Sequence, residues 1–243
     1  MEFQDEAFVL SARAFGETGA IVEFLTAQHG RYAAHVAGGA SRRIKPFLQA
    51  GARAMIQYRA RISEQLGAAT IEPVGEGPSA LFDDPLALAG LSAAAAVASA
   101  ALPEREPHPG AFLAFEALSD TLSSPDIWPA IFVRFEAGLL QDLGFGLDLS
   151  RCAATGQVDD LIYVSPRTGR AVCREAGEPY KDRLLTLPAF MLSSQSGLAP
   201  GDVGAGLALT AHFLEAFVFS PLNRPLPPAR FWLIEKLADA KRL

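Results

Sequence analysis

Cysteine, histidine and tryptophan are scarce in this sequence, and the common catalytic signatures are missing altogether. Two cysteines, Cys152 and Cys173, are separated by twenty residues. That excludes a disulfide framework and reads as two free thiols. The four histidines, His29, His35, His108 and His212, show no metal-ligand spacing, so surface or core roles are expected for them. "GETGA" and "GDVGAG" are glycine-rich, but neither continues into the Gly-Lys-Ser/Thr of a phosphate loop or the dinucleotide fingerprint. There is no Gly-x-Ser-x-Gly elbow and no His-Glu-x-x-His. The adjacent acids Asp159 and Asp160 offer a divalent-metal, phosphate-ester reading, and acids beside a turn ordinarily form a solvated face. A non-enzymatic protein without metal or cofactor is expected. The start, "MEFQDEAFVLSARAF", carries acids where a signal peptide carries Lys or Arg, so a cytoplasmic protein is expected. One stretch of near-membrane length lacks charge, "PLALAGLSAAAAVASAAL" from Pro85 to Leu102. Rich in Ala, it reads as a buried helix.

Acid is also missing from one region. Between Glu23 and Glu64 there is none, while Arg31, Arg42, Arg43, Lys45, Arg53, Arg59 and Arg61 all fall there. The chain as a whole is acidic, with net charge −6. Residues 1–80 carry 8 basic and 8 acidic side chains, and residues 81–243 carry 13 and 19. The deficit therefore belongs to the second part. Such a cluster neutralises phosphates and releases condensed counterions. Tyr32, Phe47 and Tyr58 are interleaved with it, and aromatic faces can stack unpaired bases. Strand parity places Tyr58 with Ile56 in the core, so contact with the nucleic-acid backbone is the favoured mode. An adaptor gripping an acidic protein partner satisfies the same charge count.

The first eighty residues read as five short strands. "EAFVLSARAF" places Phe8, Leu10 and Ala12 on one face at period two. "AIVEFLTA" and "RYAAHVAGG" follow, joined by a tight connection at Gly30. "ARAMIQYRARI" alternates Ala54, Ile56, Tyr58 and Ala60 with Arg53, Met55, Gln57, Arg59 and Arg61. "LGAATIEPV" is the fifth. Five strands of this length suit a small closed barrel, of OB-fold or SH3-like type. Beyond residue 80 the period becomes helical. Asp83 or Asp84 caps a helix opening at Pro85, and Pro109 and Pro129 suit the same first-turn position. Ile131, Phe132, Phe135, Leu139 and Leu143 recur at helical spacing and stop at Gly144. A hairpin-like insert lies between the cysteines, and helices resume at "LPAFMLSS", "DVGAGLALTAHFLEAFVF" and "PARFWLIEKLADAKRL".

"EAFVLSARAFGETGAIVEFLTAQHGRYAAHVAGGASRR", "LQAGARAMIQYRAR", "RFEAGLLQDLGFGLDLSRC" and "RPLPPARFWL" together resemble the RecO family of bacterial recombination mediators, in the same order over nearly the whole chain. The resemblance implies an α+β protein. A five-stranded OB-fold barrel (1–80) is followed by an α-helical domain (81–243), with a hairpin-like cysteine insert at about 148–180. It implies binding of single- and double-stranded DNA, annealing of complementary strands and, with RecR, loading of RecA onto strands coated by single-stranded-DNA-binding protein (SSB). A nucleoid-associated location is implied as well. Family members with four cysteines hold zinc, but here two ligand positions read Thr155 and Ala176, so no metal is carried over. Arg134 matches the family's Arg-rich helix and is the candidate for gripping the acidic SSB tail. The seven cations between residues 24 and 63 are the candidate DNA contacts.

Overall fold

A computed structural model describes residues 1–62, 65–75, 77–193 and 195–243, the side chain of Ser79 excepted. Ser63 and Glu64, which close the acid-free stretch, lie outside the described residues. The chain packs as two compact units, Met1–Ser123 and Ser124–Leu243.

The first unit is built on a closed barrel of β1 (Glu2–Phe15), β2 (Gly19–Thr26), β3 (Gly30–Val36), β4 (Arg53–Arg59) and β5 (Gly67–Pro73). Its order is β1-β2-β3-β5-β4. Neighbours pair antiparallel except β3 and β5, which run parallel over Ala34↔Gly67 and His35↔Ala68. This Greek-key closure is that of an OB-fold. The β2–β3 turn follows from local chemistry. Gly30 takes φ 82°, a conformation that costs any side-chain-bearing residue. The buried carboxylate of Asp5 accepts from the Gln28 amide at 2.9 Å and meets His29 Nδ1 at 2.7 Å.

The interior takes Val22, Phe24, Tyr32, Ala34, Ile56 and Tyr58, and in β4 this is the face that the alternation of Ala54, Ile56 and Tyr58 predicts. In β1 the expectation fails. The interior takes Ala7 and Val9, while Phe8 packs outward on Phe112 and Phe115, with ring centroids at 5.2 and 4.9 Å. Helices α1 (Pro85–Ala101) and α2 (Pro109–Thr121) belong to this unit. β1 is buried on both faces where Phe8 meets α2, and a register shift between Val9 and Ser11 alters its parity. Period two cannot choose between two buried faces. Asp84 caps α1 by accepting from the amides of Leu86 and Ala87 at 3.1 and 2.9 Å.

The second unit holds α3 (Trp128–Asp142), the hairpin β6 (Leu161–Val164) and β7 (Ala171–Cys173), α4 (Arg174–Gly177), β8 (Leu185–Thr186), α5 (Asp202–Phe213) and α6 (Pro228–Asp239). "LPAFMLSS" is not a full helix. β8 pairs with β6 and the backbone stays extended through Pro188, leaving one 3-10 turn, Ala189–Met191. From Leu214 to Phe219 the chain continues α5 as a π-helix. The segment Asp202–Phe219 is long and apolar enough to cross a membrane by length and composition, with 50% of it buried in the fold. Its Thr210 takes part in a buried polar cluster, which marks it as a core helix of this unit. There Arg230 Nε and Nη2 donate to Glu136 Oε1 and Oε2 at 2.6 and 2.9 Å. Thr210 Oγ1 donates to Glu136 at 2.5 Å. Both charged side chains are essentially inaccessible. Nothing in the sequence pattern joins residues 136 and 230.

Candidate nucleic-acid interface

Folding divides the seven cations into groups with different surroundings. Arg31 is half-buried: its Nε donates to the Leu102 carbonyl at 2.8 Å, and its Nη1 pairs with Glu23 and, at 3.6 Å, with Glu104. Arg53 pairs with Glu6 and, at 2.5 Å, with Glu116, and its guanidinium lies 5.6 Å from the centre of the Phe8 ring. Arg59, exposed on β4, meets Glu2 at 2.8 Å, as the β1–β4 register Glu2↔Arg59 dictates. The acid-free stretch is thus a property of the sequence rather than of the surface. Acids from β1, β2, α2 and the connection before α2 fold against it.

Arg42, Arg43 and Lys45 are different. They occupy the connection between β3 and β4, where Lys45–Leu48 forms a 3-10 turn with Pro46 in its first turn. All three are exposed, and among the described residues none has an ion-pair partner. Ser41 orders the connection by accepting from the Ile44 amide at 3.3 Å. Arg61, also exposed, lies just past the end of β4.

Beside this connection the barrel carries a groove of about 600 Å³. The buried Ala20, Gly39 and Leu48 line it together with the exposed Arg13, Arg42, Lys45 and Phe82. Among the described residues no acid lines it. Arg13 and Phe82 were not legible as site residues. Arg13 lies outside the cationic stretch, and Phe82 follows a 3-10 turn (Gly77–Leu81) far along the chain. Of the three aromatics interleaved with the cations, Tyr58 lies in the core as strand parity predicts. Tyr32 is also a core residue, while Phe47 is exposed.

In the second unit, Arg134 lies on α3 beside a cavity of about 450 Å³ lined by Ala137, Gln141, Leu147, Leu149, Met191 and Leu192. Its Nε donates to the Phe190 carbonyl at 3.0 Å, and Nη2 donates to the same oxygen. Nη1 has no partner among the described residues.

The cysteine hairpin brings Cys152 and Cys173 together in the core. The Cys173 amide donates to Cys152 Sγ at 3.2 Å, and Thr155 Oγ1 lies 3.6 Å from Cys173 Sγ. Burial pushes the Cys152 thiol up. Bonds from the Thr155 hydroxyl and from the amides of Cys173, Thr155 and Ala154 outweigh it and bring the thiol down to about 6. Thr155 thus lies beside both thiols and supplies a hydroxyl, not a thiolate. The alanine at 176 supplies no donor at all. A two-thiol set of this kind does not fit structural zinc, and among the described residues no group of three His, Cys, Asp or Glu is placed to hold a metal. Asp160 meets Arg174 at 3.1 Å, an ion pair on the solvated face expected for this acidic pair.

Comparison with known proteins decides the family. The model for the Recombination protein O N terminal domain matches residues 1–74, and that for the Recombination protein O C terminal domain matches residues 83–225. A protein named DNA repair protein RecO from Phenylobacterium zucineum is 77% identical over 243 residues, 100% of both chains. The protein of that name from Caulobacter vibrioides (strain NA1000 / CB15N) is 73% identical, again over 100% of both. One from Rhodospirillum centenum is 49% identical over 242 residues, 99% of this chain and 96% of the relative. The chain belongs to the RecO family. Both family domains are present in order. Within this RecO-family chain, the barrel and its cationic connection fall in the first, and Arg134 and the cysteine hairpin in the second.

Proposed function

We propose that this protein is a non-enzymatic recombination mediator in DNA repair, which holds single- and double-stranded DNA by the phosphates on its barrel. The exposed cluster of Arg42, Arg43 and Lys45, without ion pairs among the described residues and rimming a groove with no acid among its described lining, carries the reading. Cations so placed lower the repulsion between two strands and so promote annealing. Arg59 and Arg61 extend the surface, while Arg31 and Arg53 hold the barrel together. The helical unit takes the acidic tail of SSB, its terminal apolar side chain among Leu147, Leu149 and Met191 and its carboxylate on the Nη1 side of Arg134, through a charge-assisted hydrogen bond. With RecR, the DNA-bound protein then helps to load RecA. This work belongs in the cytoplasm, at the nucleoid.

The variant Arg42→Glu/Arg43→Glu/Lys45→Glu is expected to lose most single-strand affinity in fluorescence anisotropy while keeping its circular dichroism spectrum. At about 0.7 in slope per phosphate, losing three contacts makes the fall of log affinity with log salt shallower by about 2. Unchanged affinity and slope would remove the surface. If the unaltered protein binds no oligonucleotide even at low salt, an acidic protein partner takes the place of DNA.

Arg134→Ala is expected to weaken an SSB-tail peptide roughly tenfold to a hundredfold, the range of a lost charge-assisted hydrogen bond. Isothermal titration with the full chain measures it, and equal affinity would remove the assignment.

A further inference from the structure

We infer that the groove flanked by Phe82 is a site for unpaired nucleobases of single-stranded DNA, so that the barrel reads strandedness as well as charge. The inference rests on the proposal that the barrel binds DNA, and it adds a ligand part that phosphate contact alone does not provide.

Four features converge. The groove's volume of about 600 Å³ lies within the roughly 300–1,000 Å³ of clefts that take small organic groups. Its buried lining is apolar or small, Ala20, Gly39 and Leu48, and the backbone there is drawn close: a methyl group built on Gly39 lies 2.7 Å from Ala20 Cβ. Small side chains admit a planar ring against the barrel wall. Phe82 is 60% exposed and borders the groove, offering a π face with no described aromatic neighbour. The cations come from two segments, Arg13 from β1 and Arg42 and Lys45 from the β3–β4 connection, with no acid among the described lining residues.

An apolar slot with an aromatic edge and a cationic border fits one ligand chemistry well. A base stacks on the ring while the flanking phosphates meet the cations. Duplex DNA, whose bases are already paired and stacked, gains only the phosphate part. An acidic peptide gains the charge part but presents no series of planar rings.

The test uses the full-length protein and fluorescein-labelled oligonucleotides of equal length: a single strand, its duplex, and a single strand whose central nucleotides are abasic. Phe82→Ala is expected to weaken single-strand binding about tenfold, within the range of one lost stacking contact. Its salt slope and duplex affinity stay unchanged. Phe82→Trp keeps or improves single-strand binding, and the abasic strand binds unaltered protein about as weakly as the intact strand binds Phe82→Ala. Because the ring is largely in solvent, neither variant disturbs the core. Single-strand affinity unchanged in Phe82→Ala, or equal losses for strand and duplex, would overturn the groove site while leaving the phosphate surface standing. No binding of any oligonucleotide by unaltered protein would remove both. Equal displacement of the single strand by an acidic peptide of matched charge would show that charge alone is read, and would also overturn it.

Discussion

Glu136→Ala is expected to cost about 3–5 kcal/mol of stability, among the larger losses for one substitution in this protein. The carboxylate holds Arg230 through both oxygens and also accepts from Thr210. Its removal leaves a guanidinium that is 1% exposed without its counter-charge, and water cannot reach it without opening the packing of α3, α5 and α6. Arg230→Ala strands the carboxylate in the same way. The pair differs from its parts. Attraction between two buried charges roughly offsets their desolvation, so replacing both with apolar residues of similar volume is often neutral. Glu136→Met/Arg230→Met is therefore expected to recover most of the stability lost by either single truncation. With Glu136 gone, the single hydroxyl proton of Thr210 turns to the Gly206 or the Leu207 carbonyl, both within reach at 3.1 and 3.3 Å. Urea denaturation of the three variants measures this, and single losses under about 1 kcal/mol would refute the account.

Gly30→Ala is expected to cost about 2–5 kcal/mol, from a left-handed backbone conformation and an overpacked contact acting together. At φ 82°, a methyl group here lies 1.8 Å from the Glu106 carbonyl oxygen. The obstruction is backbone, not the movable end of a side chain. The connection 102–108 lies against β3 at this point, with the Arg105 amide donating to the Arg31 carbonyl at 2.8 Å. Gly16 separates the two costs. Its φ is 64°, and nothing lies within 4 Å of a methyl group built there, so Gly16→Ala carries only the conformational penalty of about 1–2 kcal/mol. Thermal unfolding of both variants makes the comparison. Equal shifts would mean that contact with Glu106 contributes nothing.

What the sequence disclosed and what it withheld divide along a physical line. The Asp84 cap, the prolines opening α1, α2 and α3, the alternation of β4 and the turn at Gly30 are local, each determined within a few residues. The face of β1 was not legible, because it depends on helices a hundred residues away and on a register shift. The neutralisation of Arg31 and Arg53 was equally hidden. Their partners at 6, 23, 104 and 116 are joined to them only through strand pairing and helix packing. Arg13 and Phe82 became site residues by the same route, as did Glu136 and Arg230. The family's architecture is carried by its motifs, but which cations remain open to solvent is decided by contacts between residues far apart in the chain.

The parallel contact between β3 and β5 has a consequence for how the barrel breathes. Every other strand pair of the barrel is joined over six or more positions, whereas this one rests on Ala34↔Gly67 and His35↔Ala68. Local opening concentrates where the fewest bonds must part, so this seam is the hinge line along which the closed cylinder relaxes into a curved open sheet. Two strand edges are bared when it does, and a bare edge is a template for another chain. Tyr58 works against that. Its ring fills the space beside Gly67 of β5, lying 2.3 Å from where a methyl group there would sit, and meets the Tyr32 ring of β3 edge-on with centroids 5.0 Å apart, so it touches both sides of the weakest joint of the wall.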